Sequence, residues 1–398
     1  MSILLNPVPS MKSFISKLSI VSVALLGLST SFAIQAAADV VDPYQCEGNG
    51  LITHQEGVTS LHTLKYFGTS VTIDLYGVDE TKANTALCRA LNVIQEYHYQ
   101  ASNYSTYPHV TNIKTINSAP EKVHHIDEKL TEIIASSLNW HTLSNGYFNI
   151  ALSPVIDLWR QHRGQCKGDT KTLGLCTIPS NAALAHAAKL TDINDIKLDR
   201  TLNTIQMKPG MSIDLGGIAK GWMAEKVYDS LKIDGINAFM INAGGNIRHY
   251  GLHPEQRTFA TAIEDPLCKK SEYQLPQCQT FEGQFHEVVQ GQDLTIVSSG
   301  NYLNYFIAGG VEYHHLIDPK TLHPKPTGIS TTVVMNGQQI FADVISTSLF
   351  LMPIEEAMTF AEEHDELEAV WYLDEKGSKR KSSGFDKYHL TKGNISQQ

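Results

Sequence analysis

The sequence has no basic run interleaved with aromatic residues, and its 31 Lys and Arg are outnumbered by 41 Asp and Glu, for a formal net charge of -10. Nothing here offers a phosphate backbone a cationic track, so no nucleic-acid partner is expected. Long apolar runs are missing too. The stretch Leu18 to Leu28 stops at eleven residues, short of the roughly 20 that cross a bilayer, so no stable membrane span is expected in the mature chain. No strand–GxGxxG–helix signature stands near the start, which disfavours a Rossmann-type dinucleotide fold. There is no internal repeat and no low-complexity tract. Cysteine is scarce, at six in 398 residues, and no CxxC spacing supports a zinc site.

What is present fits an ordinary globular chain. Apolar residues make up 42% and charged residues 18%, enough for a sizeable core in one large domain of two interlocked halves. Met11, Lys12 and Lys17 form a positive n-region, Leu18 to Leu28 an apolar h-region, and Ala36-Ala37-Ala38 a small-residue cleavage site. Residues 1–38 therefore read as a secretory signal peptide, with Met11 a possible true start, and export to the periplasm is expected. All six cysteines lie after that site, and an even count in an exported chain reads as disulfides. Cys166/Cys176 and Cys268/Cys278 are each ten apart within polar stretches, as surface loops closed by local bridges would be. Fifteen pairings of six cysteines are possible, so Cys46 with Cys88 follows only by elimination.

Along the chain, residues 39–58 read as a linker, 59–376 as the folded domain and 377–398 as a loosely ordered polar tail. Alternation from Val71 to Leu75 predicts a half-buried strand. Helices are predicted over Thr81 to Tyr99 and Glu128 to Thr142, the latter stopped by Asn145-Gly146. Apolar runs at Ala238 to Asn242, Thr258 to Ile263, Thr331 to Met335 and Ala369 to Leu373 predict further strands, a mixed α+β pattern.

Chemistry concentrates in a few segments. Ser212-Ile213-Asp214-Leu215-Gly216-Gly217-Ile218-Ala219-Lys220-Gly221-Trp222 precedes a helix-period run through Met223, Val227 and Leu231. Paired glycines there let the backbone approach a ligand and leave free helix N–H groups facing it, which suits a phosphate; taken alone, such a turn is more often only a turn. Further on stand Ile241 to Arg248, Val297 to Tyr302, Tyr313-His314-His315-Leu316-Ile317-Asp318-Pro319, and Ala342-Asp343-Val344-Ile345-Ser346-Thr347. On a helix stopped by Pro353, Asp343, Ser346 and Thr347 share one face. A carboxylate with hydroxyls and no Cys or His is a hard donor set suited to Mg²⁺. The plainer reading has Asp343 favouring the helix dipole and Thr347 bonding backbone.

In this order the segments resemble the ApbE family, whose pattern runs from a Met-Gly-Thr strand through a Ser-Thr-Tyr/Trp segment, a Gly-Ala-Phe-Asp turn, a DLGGIAKG-like loop, an NAGGD turn and an HxIDP segment to an ADAxxT helix. All seven have counterparts between Phe67 and Thr347. The resemblance implies that Phe67, Tyr107, Tyr147, Phe148 and Asn149 line a flavin site and that Asp214, Lys220 and Ile317 contact FAD. It implies a metal held by the main-chain oxygen of Gly217 with Asp343 and Thr347, Ser346 taking a place that is sometimes acidic, and His315 as base. Phe67 replaces the usual Met, Asn149 and Asn246 replace usual Asp, and the two Cys-bounded loops look like insertions.

The implied activity is an FAD:protein FMN transferase moving FMN onto a Thr or Ser hydroxyl of a partner protein, with AMP released. Its acceptors would be flavin-bearing subunits of membrane redox complexes of the Rnf or Nqr type. The same residues would serve an FAD pyrophosphatase, and a non-catalytic FAD-binding maturation factor is the reading from another class. An oxidoreductase using FAD as redox cofactor is disfavoured by the missing GxGxxG.

Overall fold

The computed structural model describes residues 2–4, 46, 50–166, 176–337 and 340–390. Its centre is a nine-stranded antiparallel sheet: β1 (Leu51–Gln55), β2 (Val58–Thr63), β3 (Val71–Tyr76), β4 (Phe239–Ala243), β5 (Asn246–Tyr250), β6 (Asp293–Gly300), β7 (Ser330–Asn336), β8 (Leu367–Tyr372) and β9 (Lys379–Lys381). Strand order in the sheet follows chain order from one edge to the other. Helices and small sheets fill the long connections, so segments far apart in sequence meet where the sheet brings their flanking strands together.

Alternation along each strand gives two cores. Ile73 and Leu75 of β3, Val297 of β6, Val333 of β7 and Trp371 of β8 join helices α1 (Glu80–Ala101), α2 (Glu128–Leu143), α4 (Ala219–Ile233) and α5 (Ala342–Leu351) in the larger core. Tyr76, Leu294, Ile296, Val334 and Val370 point the other way and pack against Phe259, Ile263 and Val289. The last three belong to the strands Phe259–Glu264 and Phe285–Gly291, which form a small sheet between β5 and β6. With both faces covered, the predicted strands show as apolar runs as much as alternations. Two further helices matter below, α3 (Ser153–Gln165) and α6 (Ile354–Glu362).

Predicted helices and strands appear close to their expected places, and the mixed α+β class stands. Two boundaries are corrected. Residues 51–58, expected as linker, form the edge hairpin of β1 and the start of β2, because Gly57 at φ +81° closes a tight turn. The tail is not loose through 390: β9 pairs with β8, and Phe385 is fully buried. Lys381 and Lys379 both bind the Glu287 carboxylate there, at 3.0 and 2.8 Å. Residues 391–398 and nearly all of the expected signal peptide lie outside the described residues; Ser2–Leu4 pair with the Phe259–Glu264 strand. Among the described residues, no helix is long and apolar enough to cross a membrane.

The disulfides are Cys46–Cys88, Cys166–Cys176 and Cys268–Cys278. Cys268 and Cys278 are themselves buried, so that bridge anchors the interior of its insertion rather than an exposed loop. Cys46–Cys88 ties the segment before β1 to α1 across 42 residues. Loop-closure entropy puts its contribution at about 4 kcal/mol. A Cys46→Ser/Cys88→Ser protein is therefore expected to lose about that much unfolding free energy in urea titration, and an unchanged midpoint would contradict it.

Candidate active site

α4 and α5 converge end-on, and Asp343 stands where they meet. No side chain of its own N-cap residue, Ile218, satisfies the start of α4. Asp343, in the first turn of α5, supplies the missing acceptor: its carboxylate takes the Gly221 N–H at 3.3 Å and faces the Lys220 ammonium at 3.4 Å. A carboxylate at two helix N-termini is electrostatically favoured. The approach is close enough to demand glycine, since a Cβ at 221 would lie 3.0 Å from the Cβ of Asp343. Gly221→Ala is expected to lower stability by about 1–3 kcal/mol through overpacking and to reduce turnover by displacing Asp343. Thermal unfolding and a transfer assay would check both, and wild-type values in each would count against this packing role.

One turn along α5, the Thr347 hydroxyl is 3.1 Å from Ser299 Oγ of β6. Ser346 is fully buried, donates to the Asp343 main-chain oxygen at 3.1 Å and lies 2.9 Å from the same Ser299 Oγ. Ser299, within the Val297 to Tyr302 segment, thereby joins the candidate site. The strand parity of β6 explains it: Val297 enters the helix-side core, and so Ser299 faces α5. Among the described residues no three His, Cys, Asp or Glu cluster to hold a metal. The donors here are oxygens only, one carboxylate with hydroxyls and nearby loop carbonyls, and that chemistry fits a hard dication such as Mg²⁺.

The loop before α4 carries the second group. Lys220 Nζ reaches back to the Gly216 carbonyl at 3.5 Å, so one cation links that loop to Asp343. Asp214 folds the turn by accepting the Gly216 N–H at 2.7 Å, and its other oxygen pairs with Arg160 Nη2 at 3.1 Å and Asn103 Nδ2 at 3.3 Å. Gly217 packs on Phe148, whose ring would stand 3.3 Å from an added Cβ. Asn149 caps the turn after Phe148 by accepting the Ala151 N–H at 2.8 Å, and its amide donates to the Thr191 carbonyl at 3.0 Å. A carboxylate has no such donor, which accounts for Asn where the family pattern has Asp. Tyr147 is buried, with its hydroxyl on Glu356 of α6 and Lys320 over its ring at 3.6 Å.

Phe67 and Tyr107, from separate loops, meet on His98, which no sequence motif marks. The Phe67 N–H donates to His98 Nδ1 at 3.2 Å, and Tyr107 Oη lies 3.0 Å from His98 Nε2. Tyr107 also stacks on Tyr99, with centroids 3.9 Å apart. The β4–β5 turn fixes the Phe67 loop: Gly244, at φ +62°, donates to the Ser70 carbonyl, and a Cβ there would strike Thr69.

The two adjacent histidines part ways. His314 is buried, accepts the Leu316 N–H on Nδ1 and donates from Nε2 to the Lys325 carbonyl at 2.7 Å, a structural role. His315 is exposed, with protein and the charges of His314, Arg163 and Lys220 around it. Those surroundings hold its pKa down to about 4, while a hydrogen bond to the Asn304 main chain works against them. The ring is therefore neutral at pH 7, with one nitrogen able to accept a proton. The Ile317 side chain is buried beside Leu152, Trp159 and Phe306, so any ligand contact there belongs to its main chain.

The ApbE family model matches residues 67–371. Relatives include FAD:protein FMN transferases of Vibrio cholerae, 25% identical over 320 residues that cover 80% of this chain and 86% of the relative, and of Treponema pallidum, 27% identical over 63% of this chain and 67% of the relative. Among solved structures, the ApbE protein of Thermotoga maritima aligns with a TM-score of 0.68 at 22% identity, covering 86% of this chain and 99% of that one. Flavin transferase ApbE from Vibrio cholerae gives 0.66 at 23%, covering 83% and 99%. With the family match spanning the Phe67 and Tyr107 loops, the α4 loop and α5, this chain belongs to the ApbE family.

Proposed function

We propose that the chain is a Mg²⁺-dependent FAD:protein FMN transferase. The observation that carries this reading is the Asp343 carboxylate, which takes the Gly221 N–H and faces Lys220, with the Thr347 hydroxyl one turn further along α5 bonded to Ser299. Gly217, through its main-chain oxygen, with Asp343 and Thr347 would hold the metal, and Ser346 braces them from behind. The metal supplies charge neutralisation at the pyrophosphate.

The remaining steps fall to the chain's own groups. Phe67, Tyr107 and Phe148 bind the flavin, while Tyr147 and Asn149 shape the turn beside it. Asp214 orders the Gly216-Gly217 loop against the phosphates, and Ile317 adds a main-chain contact. His315 takes the proton from an acceptor Thr or Ser hydroxyl. That oxygen forms a bond to the FMN phosphorus, the pyrophosphate P–O bond breaks, and AMP leaves with the electron pair. Lys220, freed from Asp343 when phosphate oxygens arrive, is placed to compensate their charge.

The acceptors in this reading are exported flavin-bearing subunits of Rnf- or Nqr-type membrane complexes, met in the periplasm after removal of residues 1–38. The three disulfides support an oxidising compartment. The test is intact-mass spectrometry of an acceptor domain incubated with the chain, FAD and Mg²⁺, with an EDTA control. Gain of one FMN, lost with EDTA and localised to Thr or Ser, is the expected result. Free FMN and AMP without acceptor gain would instead establish a pyrophosphatase, and intact FAD a binding factor.

A further inference from the structure

His98 sits in the last turn of α1, outside every motif of the family pattern, and the two loops read as flavin-lining meet on its ring. Phe67 is held in an unusual state: a non-glycine residue at φ +56°, in the left-handed region that disfavours a side chain. Its N–H is fixed by His98 Nδ1, and its ring meets the imidazole edge-on at 5.4 Å. Because Nδ1 accepts, the proton of the neutral ring is on Nε2, which donates to Tyr107 Oη. Tyr66 packs on the same imidazole, also at 5.4 Å, and Gln95 ties the Tyr66 and Tyr99 hydroxyls together at 3.1 and 2.9 Å. One imidazole thus joins three pieces of chain that no strand or helix connects directly.

We propose that His98 is the positioning residue of the flavin pocket, holding Phe67 and Tyr107 in register through its two ring nitrogens. The proposal rests on the reading of Phe67 and Tyr107 as flavin-lining. It gives the pocket a dependence on protonation. A second proton would have to go to Nδ1, where it would oppose the Phe67 N–H donor to donor, and the loop at φ +56° would lose its fixing bond. Burial disfavours that state by pushing the His98 pKa below its usual value. The titratable groups facing the ring are the phenols of Tyr66, Tyr99 and Tyr107, and burial raises that of Tyr66 further out of the acid range. FAD affinity is therefore full where His98 is neutral and falls as acid protonates it.

The experiment measures FAD Kd by fluorescence quenching from pH 8 to 4.5, with KM and kcat for FAD, on the wild-type chain and on His98→Asn, His98→Gln, Tyr107→Phe and Phe67→Ala. Asn keeps an acceptor near the Nδ1 position and Gln a donor near Nε2, so each retains one arm of the clamp. Both are expected to raise Kd and KM about tenfold at pH 8, the effect of losing one hydrogen bond and its ordering of a loop. kcat at saturating FAD should change less than threefold, and Kd should no longer respond to acid. Wild-type affinity and pH response in both His98 variants, with Phe67→Ala and Tyr107→Phe weakened, would overturn the role of His98 and leave the flavin reading standing. Wild-type affinity in Phe67→Ala and Tyr107→Phe would overturn the flavin reading and this proposal with it. Should neither His98 variant fold, Tyr107→Phe, which removes the partner of Nε2, carries the test, and a wild-type Kd there overturns the proposal.

Discussion

Asp343→Ala is expected to bring FMN transfer down about a thousandfold, the scale of removing a charge-positioning group from a phosphoryl-transfer site, while the chain stays folded. The reasons for retained folding are local. Alanine is a good helix former in the first turn of α5, and the interactions lost are one N–H bond at 3.3 Å and one ion pair at 3.4 Å. Lys220 is left without its partner, but a quarter of its side chain reaches solvent and it can turn outward. The variant should also lose the Mg²⁺ concentration dependence of any residual activity, because Thr347 and a loop carbonyl alone make a poor dication site. Transfer rate against Mg²⁺ concentration, with circular dichroism to confirm folding, is the measurement. Wild-type rate and metal response would remove Asp343 from the metal site and the proposed mechanism with it.

His315→Ala is expected to lower kcat by about 10² to 10⁴, the range for a positioned general base, with FAD affinity almost unchanged because the imidazole is assigned to the acceptor hydroxyl. The sign of the pH dependence follows from its surroundings. The proposed functional form is neutral, and although the side chain is exposed, desolvation by the protein around it and the charges of His314, Arg163 and Lys220 oppose protonation, so the pKa falls from 6.5 to about 4. Activity at saturating FAD should then be flat from pH 8 to about 5 and fall only as pH approaches 4, where the ring takes up its second proton. An inflection near 6.5 would mean that the base stands in a different environment or is a different residue. Retained kcat in the variant would take His315 out of the chemistry altogether.

How much of this was legible beforehand differs by element. The α1, α2 and α4 helices and the buried strands β3, β4, β7 and β8 carry strong periodicity or apolar runs, and their expected limits fall within two residues or so of the observed ones. The edge strands were not legible. β1 has four of its five residues exposed, and β9 is Lys-Arg-Lys; an edge paired on one side needs little apolar surface, so composition there resembles a linker or a tail. In the site, Asp343, Lys220 and Thr347 stood out by motif. Ser299 was hidden because Ser298 beside it is chemically identical, and only strand parity decides which of the two faces α5: Ser298 instead pairs with Thr332 at 2.7 Å. Asn149 looked like a loss of charge and proves to be a gain of a hydrogen-bond donor.

The sequence by itself determined the family, because seven short segments in a fixed order are a one-dimensional property that survives low overall identity. It also determined the cysteine pairs that close short loops, and the oxygen-only character of the candidate metal donors, since residue type alone sets donor hardness. The tertiary structure decided which of those residues meet. Asp343 takes the Gly221 N–H from 122 positions away, and His98 reaches Phe67 from 31. Such contacts follow no period of 2 or 3.6; they are fixed by how the sheet orders its strands and how closely α4 and α5 can approach. Seventeen histidines are alike in the sequence, and only burial and hydrogen-bond partners set apart His314, buried and bonded through both ring nitrogens, His315, exposed, and His98, held between Phe67 and Tyr107.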